Sequence, residues 1–198
     1  MADAWTDCQA RLAHAAPDVI ACWRVFDWSR AGLVALRREL RPRVHDGDAP
    51  RMLAQQEAVA DELASILDAL PEAALRAPGE EEDWNVAQAF AHTTAARRFL
   101  VAWAAQDVAG PFPGTEPRVT PSIPGPPDAT REELHVLLDK SRRSMARSAE
   151  TIAGHETERC TMKHPLVGHL RHGEWLAFVG IHDLMHLEQL HRLAAAHG

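Results

Sequence analysis

The sequence predicts an all-α protein, a four-helix bundle with a helical N-terminal extension. Three observations predict it. Strand signals are weak: β-branched clusters are few, alternating runs are missing and there is no Asn-Gly turn. Apolar residues recur instead at spacings of three and four. Two segments open with side chains suited to cap a helix start, Asn85 with Gln88 and Thr130 with Glu133.

Taken in chain order, residues 1–47 form the extension and residues 48–198 the bundle. A helix is expected from Asp18 to Leu40, carrying Ile20, Trp23, Phe26, Trp28, Leu33, Leu36 and Leu40. Trp5, Trp23 and Trp28 are three of the six tryptophans. Tryptophan clusters favour interfaces, but the simpler expectation is an additional helix packed on the bundle.

The first bundle helix covers residues 50–70, where Val59, Leu63, Ile66, Leu67 and Leu70 make one stripe and Pro71 closes it. The second starts after the Asn85 cap and runs through His92, Phe99 and Trp103 to about Val108. The acidic run Glu80–Asp83 before it faces the positive end of the helix dipole. Residues 111–127 hold seven of the thirteen prolines and cannot be helical. In extended form such a linker spans about 50–60 Å, against about 30 Å for a 20-residue helix. It is therefore long enough to run the length of a bundle and leave helices two and three parallel. The third helix follows Thr130, with Leu134, Leu137, Leu138, Ser141, Met145 and Ile152 on its inner side. Residues 155–171 read as a loop. The fourth helix runs from about His172 to Ala196, with Trp175, Phe178, Val179, His182, Met185, His186, Gln189, Leu190 and Leu193 in one stripe.

Composition excludes several classes of function. The 198 residues fit one compact domain with an extension, and no apolar run approaches the roughly 18 residues of a membrane helix. The acidic start, Met1 to Asp7, does not resemble a secretory signal, so the expected compartment is the cytoplasm. A net charge of −7 argues against nucleic acid and anionic membrane as partners. Lys140 and Lys163 are the only lysines and tyrosine is absent, which disfavours Schiff-base and phenolic chemistry. Cys8, Cys22 and Cys160 form no CxxC pair, so neither a disulfide framework nor a cysteine zinc site is expected.

Histidine, at twelve residues, is the one surplus. His182 and His186 stand one helical turn apart, but in a chain so rich in histidine the spacing alone does not single them out. Direction does, because both lie in the apolar stripe of the fourth helix. His92 lies among Ala89, Ala96, Phe99 and Trp103 on the second helix. Buried unpaired, an imidazole costs on the order of 1–3 kcal/mol. Two outcomes remain open on the residues alone: core histidines with hydrogen-bond partners, or a metal site, which bundle interiors commonly build from facing helices. Gln189, one turn beyond His186, is placed either to orient a ligand or to cap the stripe. Asp183 and Glu188 point away from the stripe and are expected in solvent. His164, His169 and His172 are expected at a pocket mouth or on the surface, and the remaining histidines, including His191 and His197, on the surface.

Several segments together resemble the DinB/YfiT-like metal-binding proteins: Trp84-Asn85 leading to His92, His164-Pro165-Leu166-Val167-Gly168, and Glu174-Trp175-Leu176-Ala177-Phe178 leading to His182-Asp183-Leu184-Met185-His186 and Gln189. The resemblance covers about residues 48–197. It implies an up-down-down-up bundle and a divalent metal, most often zinc or nickel, held by His92, His182 and His186. Asn85 stands where that family usually has Ser or Thr. Relatives of this kind include transferases of bacillithiol or mycothiol and a mycothiol-dependent isomerase, and some members do not use the metal. The leading expectation is thus a metal-dependent thiol S-transferase or related detoxification enzyme, acting on a small thiol and an electrophile received beside Phe99, Trp103 and Trp175. The alternatives are a metal-hydroxide hydrolase and a non-catalytic metal-binding or stress-related protein. A homodimer is expected in each case.

Overall fold

The computed structural model describes residues 3–80, 84–110 and 123–197. The four bundle helices are α4 (Ala49–Ala69), α5 (Val86–Ala109), α6 (Arg131–Ile152) and α7 (His172–His197). Both capping boxes form. Asn85 accepts from the Gln88 amide while Gln88 accepts from the Asn85 amide, and Thr130 and Glu133 do the same. α4 stops where Leu70 turns extended ahead of Pro71, as the clash between a proline ring and the preceding residue requires.

Side-chain pairs fix the helix directions. Along α5 and α7, Asp107 meets His172, Arg97 meets Asp183, and His92 meets His186, so these two helices are antiparallel. α4 and α6 are antiparallel as well: Arg142 reaches Glu57 and Asp61, and His135 reaches Asp68. α5 and α6 run the same way, because Asn85 bonds to the carbonyl of Pro127 near their starts and Arg97 reaches Ser141 a little over three turns on. The order is therefore up-down-down-up, and the link between α5 and α6 must return the length of the bundle.

The described part of that link lies along the start of α5. The Ile123 carbonyl faces His92 and the Gly125 amide donates to the Gln88 carbonyl. Gly125 is a packing requirement here, since a Cβ would stand 2.1 Å from that of Ala91. Pro111, Pro113, Pro117 and Pro121, on which the crossover expectation also drew, lie outside the described residues, as do Glu81, Glu82 and Asp83.

Two expectations need correction. The single helix from Asp18 to Leu40 is two, α2 (Pro17–Val25) and α3 (Arg30–Leu40), preceded by α1 (Ala4–Ala15). The break has a local cause: Asp27 accepts from the Ser29 amide, and Ser29 then caps α3 by accepting from Gly32. The segment read as a loop contains an antiparallel hairpin, β1 (Arg159–His164) with β2 (Gly168–Arg171), in the register His164 to Gly168 and Lys163 to His169. Its turn uses a histidine side chain and Gly168 at φ +82° in place of the Asn-Gly signal.

The extension packs on the bundle through specific contacts. Arg11 makes a two-pronged bond to Glu62, Asp18 collects Arg43, Arg51 and Gln55, and Val19 lies against Gly180 of α7 so closely that a Cβ there would stand 2.7 Å from it. One apolar cluster includes Cys8, Leu12 and Val19 together with Leu63, Phe90 and Leu184. Among the described residues no helix is long and apolar enough to cross a membrane.

Candidate metal centre

α7 carries His182 and His186 on one face with ring centroids 4.6 Å apart, and α5 presents His92 at 5.6 Å and 5.2 Å from them. One nitrogen from each of the three lies within 4.8 Å of the others, a spacing that could hold a metal ion. His186 is buried, and His92 and His182 are half-buried. Trp84 packs on the His92 ring at 5.1 Å.

The neighbouring groups decide which nitrogen faces inward. His92 Nδ1 stands 3.2 Å from the Ile123 carbonyl, which can only accept, so Nδ1 carries the proton and Nε2 the lone pair. His186 Nδ1 stands 2.9 Å from Gln189 Oε1. The Gln189 amide nitrogen is itself committed to the Gly79 carbonyl, which fixes the oxygen toward the ring and again leaves Nε2 with the lone pair. Metal-bound histidines usually show this pattern, the outer nitrogen donating to a carbonyl or carboxylate. Gln189 is thus the orienting group that the sequence allowed for.

The third ring has a carboxylate beside it. His182 Nδ1 approaches Asp183 Oδ1 at 3.8 Å, longer than a hydrogen bond, and neither atom has a hydrogen-bond partner among the described residues. Two buried polar atoms facing one another unbonded fit a site whose side chains settle fully only when a ligand is held. Burial, and the neighbouring imidazole His182, hold His92 below its ordinary range and push His186 down to about 3. Both rings are therefore neutral at pH 7, the form that ligates. Position, tautomer and charge all fit a divalent ion.

Asp183 corrects the sequence reading. It is 0% exposed and ion-paired with Arg97, which also donates to the Gln56 carbonyl and to Ser141. Asp183 faces the bundle interior, where Arg97 of α5 ties it to Gln56 of α4 and Ser141 of α6, so this position is buried by the other bundle helices. The expected electrophile pocket also changes: Phe99 is 44% exposed, and Trp175, at 1%, packs against His164 and Phe178.

Other histidines are placed as follows. His172 is buried, with Nε2 at 2.8 Å from Asp107 and Nδ1 at 3.2 Å from the His155 carbonyl. His164 is half-buried on Phe178. His191 has both ring nitrogens buried and packs on Trp5, whereas His197 is exposed, as expected. His135 and His155 pair with Asp68 and Glu158. Asp107, Cys160 and His172 form a second group of metal-ligand types within 4.8 Å. No spacing pattern points to it, because its members come from three separate elements. Nor could spacing reveal the Ile123 and Gly79 carbonyls, since backbone groups carry no residue signature.

A profile of the DinB superfamily matches residues 55–190, and the chain belongs to that superfamily. No curated protein and no solved structure matches it.

Proposed function

We propose that this DinB superfamily protein is a metal-dependent enzyme that joins a low-molecular-weight thiol to an electrophile, with His92, His182 and His186 as ligands of a zinc or nickel ion. The observation that carries the reading is the convergence of three imidazoles from two helices, two of them with Nδ1 held by a neighbouring carbonyl oxygen so that the lone pair falls on Nε2. Three protein ligands leave a metal position open, and an ion so held favours the thiolate form of a thiol or the hydroxide form of water.

The chain's own residues supply orientation and selectivity. Gln189 and the Ile123 carbonyl hold two rings in register, and half-buried His92 and His182 leave the centre reachable from outside. Asp183 adjoins the triad but is committed to Arg97. Hydrolysis through an activated water needs a general base to manage protons, whereas thiolate attack needs none once the thiol has ionised. This difference favours the transferase over the hydrolase. A homodimer and a cytoplasmic setting belong to the same proposal.

The test is metal analysis of untagged protein beside His92→Ala and His182→Ala, followed by thiol consumption with 1-chloro-2,4-dinitrobenzene. The proposal expects one ion per wild-type chain, loss of that ion in both variants, and metal-dependent thiol consumption. Retention of the ion in either variant removes that residue from the ligand set. A stoichiometric ion without turnover of any bacterial thiol selects the non-catalytic metal-binding reading.

A further inference from the structure

His164 ends β1 with its imidazole lying on Phe178 at 4.8 Å and on Trp175 at 5.6 Å between ring centroids. Phe178 precedes His182 by four residues on α7, a rise of about 6 Å, so this fourth imidazole lies one helical turn from the triad. Its orientation is fixed by the hairpin turn. Nδ1 accepts from the backbone amides of Leu166 at 3.2 Å and Val167 at 3.1 Å. A nitrogen receiving two N–H groups must carry a lone pair, so in the neutral ring the proton resides on Nε2, at the opposite edge.

The turn is braced from outside as well. Arg37 of α3 donates to the Val167 carbonyl at 3.2 Å, and Gly168 holds a left-handed conformation that favours glycine. The ring is thus held by the strand it ends, by the turn that follows and by two aromatic side chains. Burial, then the nearby His182, push its pKa down to about 4, so it carries no charge at pH 7. A neutral donor next to a cation site has a clear use. It attracts an anion without repelling the ion, which a charged imidazolium would do.

We infer that His164 contacts the substrate of the proposed centre, donating a hydrogen bond from Nε2–H to the anionic group that comes to the ion. The inference rests on the metal-centre reading and adds to it a residue that ligates nothing. The competing role is purely architectural, a side chain that only closes the hairpin turn through Nδ1.

Two substitutions separate these roles. His164→Asn keeps an oxygen close to the Nδ1 position for the turn amides but removes the distant donor. His164→Gln keeps a donor near the Nε2 position and gives up the turn acceptor. The first measurement is the ring tautomer in metal-free wild type by nitrogen-15 NMR at pH 7, expected to show the proton on Nε2. The second is azide binding to cobalt-loaded protein, followed by visible absorption. His164→Asn is expected to load cobalt fully, to keep its thermal midpoint, and to bind azide about 10- to 100-fold more weakly, the range for a hydrogen bond to a charged group. His164→Gln is expected to melt earlier yet bind azide within a few-fold of wild type. A proton on Nδ1, or undiminished azide affinity in His164→Asn, overturns the inference and leaves the metal centre standing. A wild type that loads no cobalt sinks the metal-centre reading, and the inference falls with it. Should His164→Asn fail to fold, the wild-type tautomer and the azide affinity of His164→Gln still decide.

Discussion

Among the described residues, two clusters of metal-ligand residue types stand toward opposite ends of the α5–α7 interface, each gathered within the same 4.8 Å and one of them completed by Cys160 of β1. At one end are His92, His182 and His186. At the other, Asp107 accepts from the amide and hydroxyl of Thr161 and from His172, and burial first, with Asp107 among the lesser causes, pushes the Cys160 thiol up to about 12. Each nitrogen of His172 stands within hydrogen-bond distance of an oxygen, of Asp107 or of the His155 carbonyl. The triad end aims ring donors of His92 and His186 outward at Ile123 and Gln189, whereas at the other end the His172 ring meets the Asp107 carboxylate directly. Proximity of ligand types is common to both. What separates a binding site from a structural clasp is where the hydrogen bonds go.

The comparison can be broken or sharpened by experiment. The largest effect is expected at the clasp. Asp107→Ala takes the acceptor from the Thr161 amide and hydroxyl and from the buried His172 ring and should cost about 3–5 kcal/mol, read from the denaturant midpoint, with metal stoichiometry unchanged. A fall from two ions to one would make the clasp a second metal site and abolish the distinction. At the triad end, Gln189→Leu frees the His186 ring and should weaken zinc binding about 10- to 100-fold in a competition titration.

A smaller effect is expected from Gly125→Ala. The added methyl collides with Ala91 and lifts the Ile123 carbonyl from His92, for roughly a 10-fold loss of zinc affinity. Unchanged affinity would show that the crossover carbonyl does not orient the ring. The gentlest test is pH. His92, His164 at about 4 and His186 at about 3 stay neutral in the fold below the ordinary value of about 6.5, while an unfolded chain would protonate them. The unfolded state then binds more protons, so stability is complete above about pH 6.5 and is lost as pH falls toward 3. The thermal midpoint of metal-free protein should decline across that window. Zinc uptake at pH 7 should release no proton from His92 or His186, as calorimetry in buffers of different ionisation enthalpy would show.

Much of the fold is legible in the chain because it is set locally. The stripe from Val59 to Leu70, the caps at Asn85 and Thr130, and the break at Pro71 each depend on residues within a turn or two of one another. The hairpin was not legible, since its turn is closed by His164, a residue type with no turn signature. The split between α2 and α3 was hidden for a related reason: Ile20 to Leu40 keep a helical spacing that the side chains of Asp27 and Ser29 interrupt. Of the candidate centre, the three imidazoles were readable from the stripe of α7 and the apolar surroundings of His92. The fates of Asp183 and His172 were not, because each depends on a partner more than sixty residues away.

By itself, then, the sequence determined the helical class, the capped starts of two bundle helices and the apolar setting of His92, His182 and His186, because periodicity and capping are short-range physics written in neighbouring residues. Only the tertiary structure decided which neighbour meets Nδ1 of His92 and of His186, that Asp183 is buried on Arg97, and that His172 meets Asp107. Those outcomes depend on where carbonyls, carboxylates and guanidinium groups from distant segments arrive, and a buried polar group takes its state from the partner it meets.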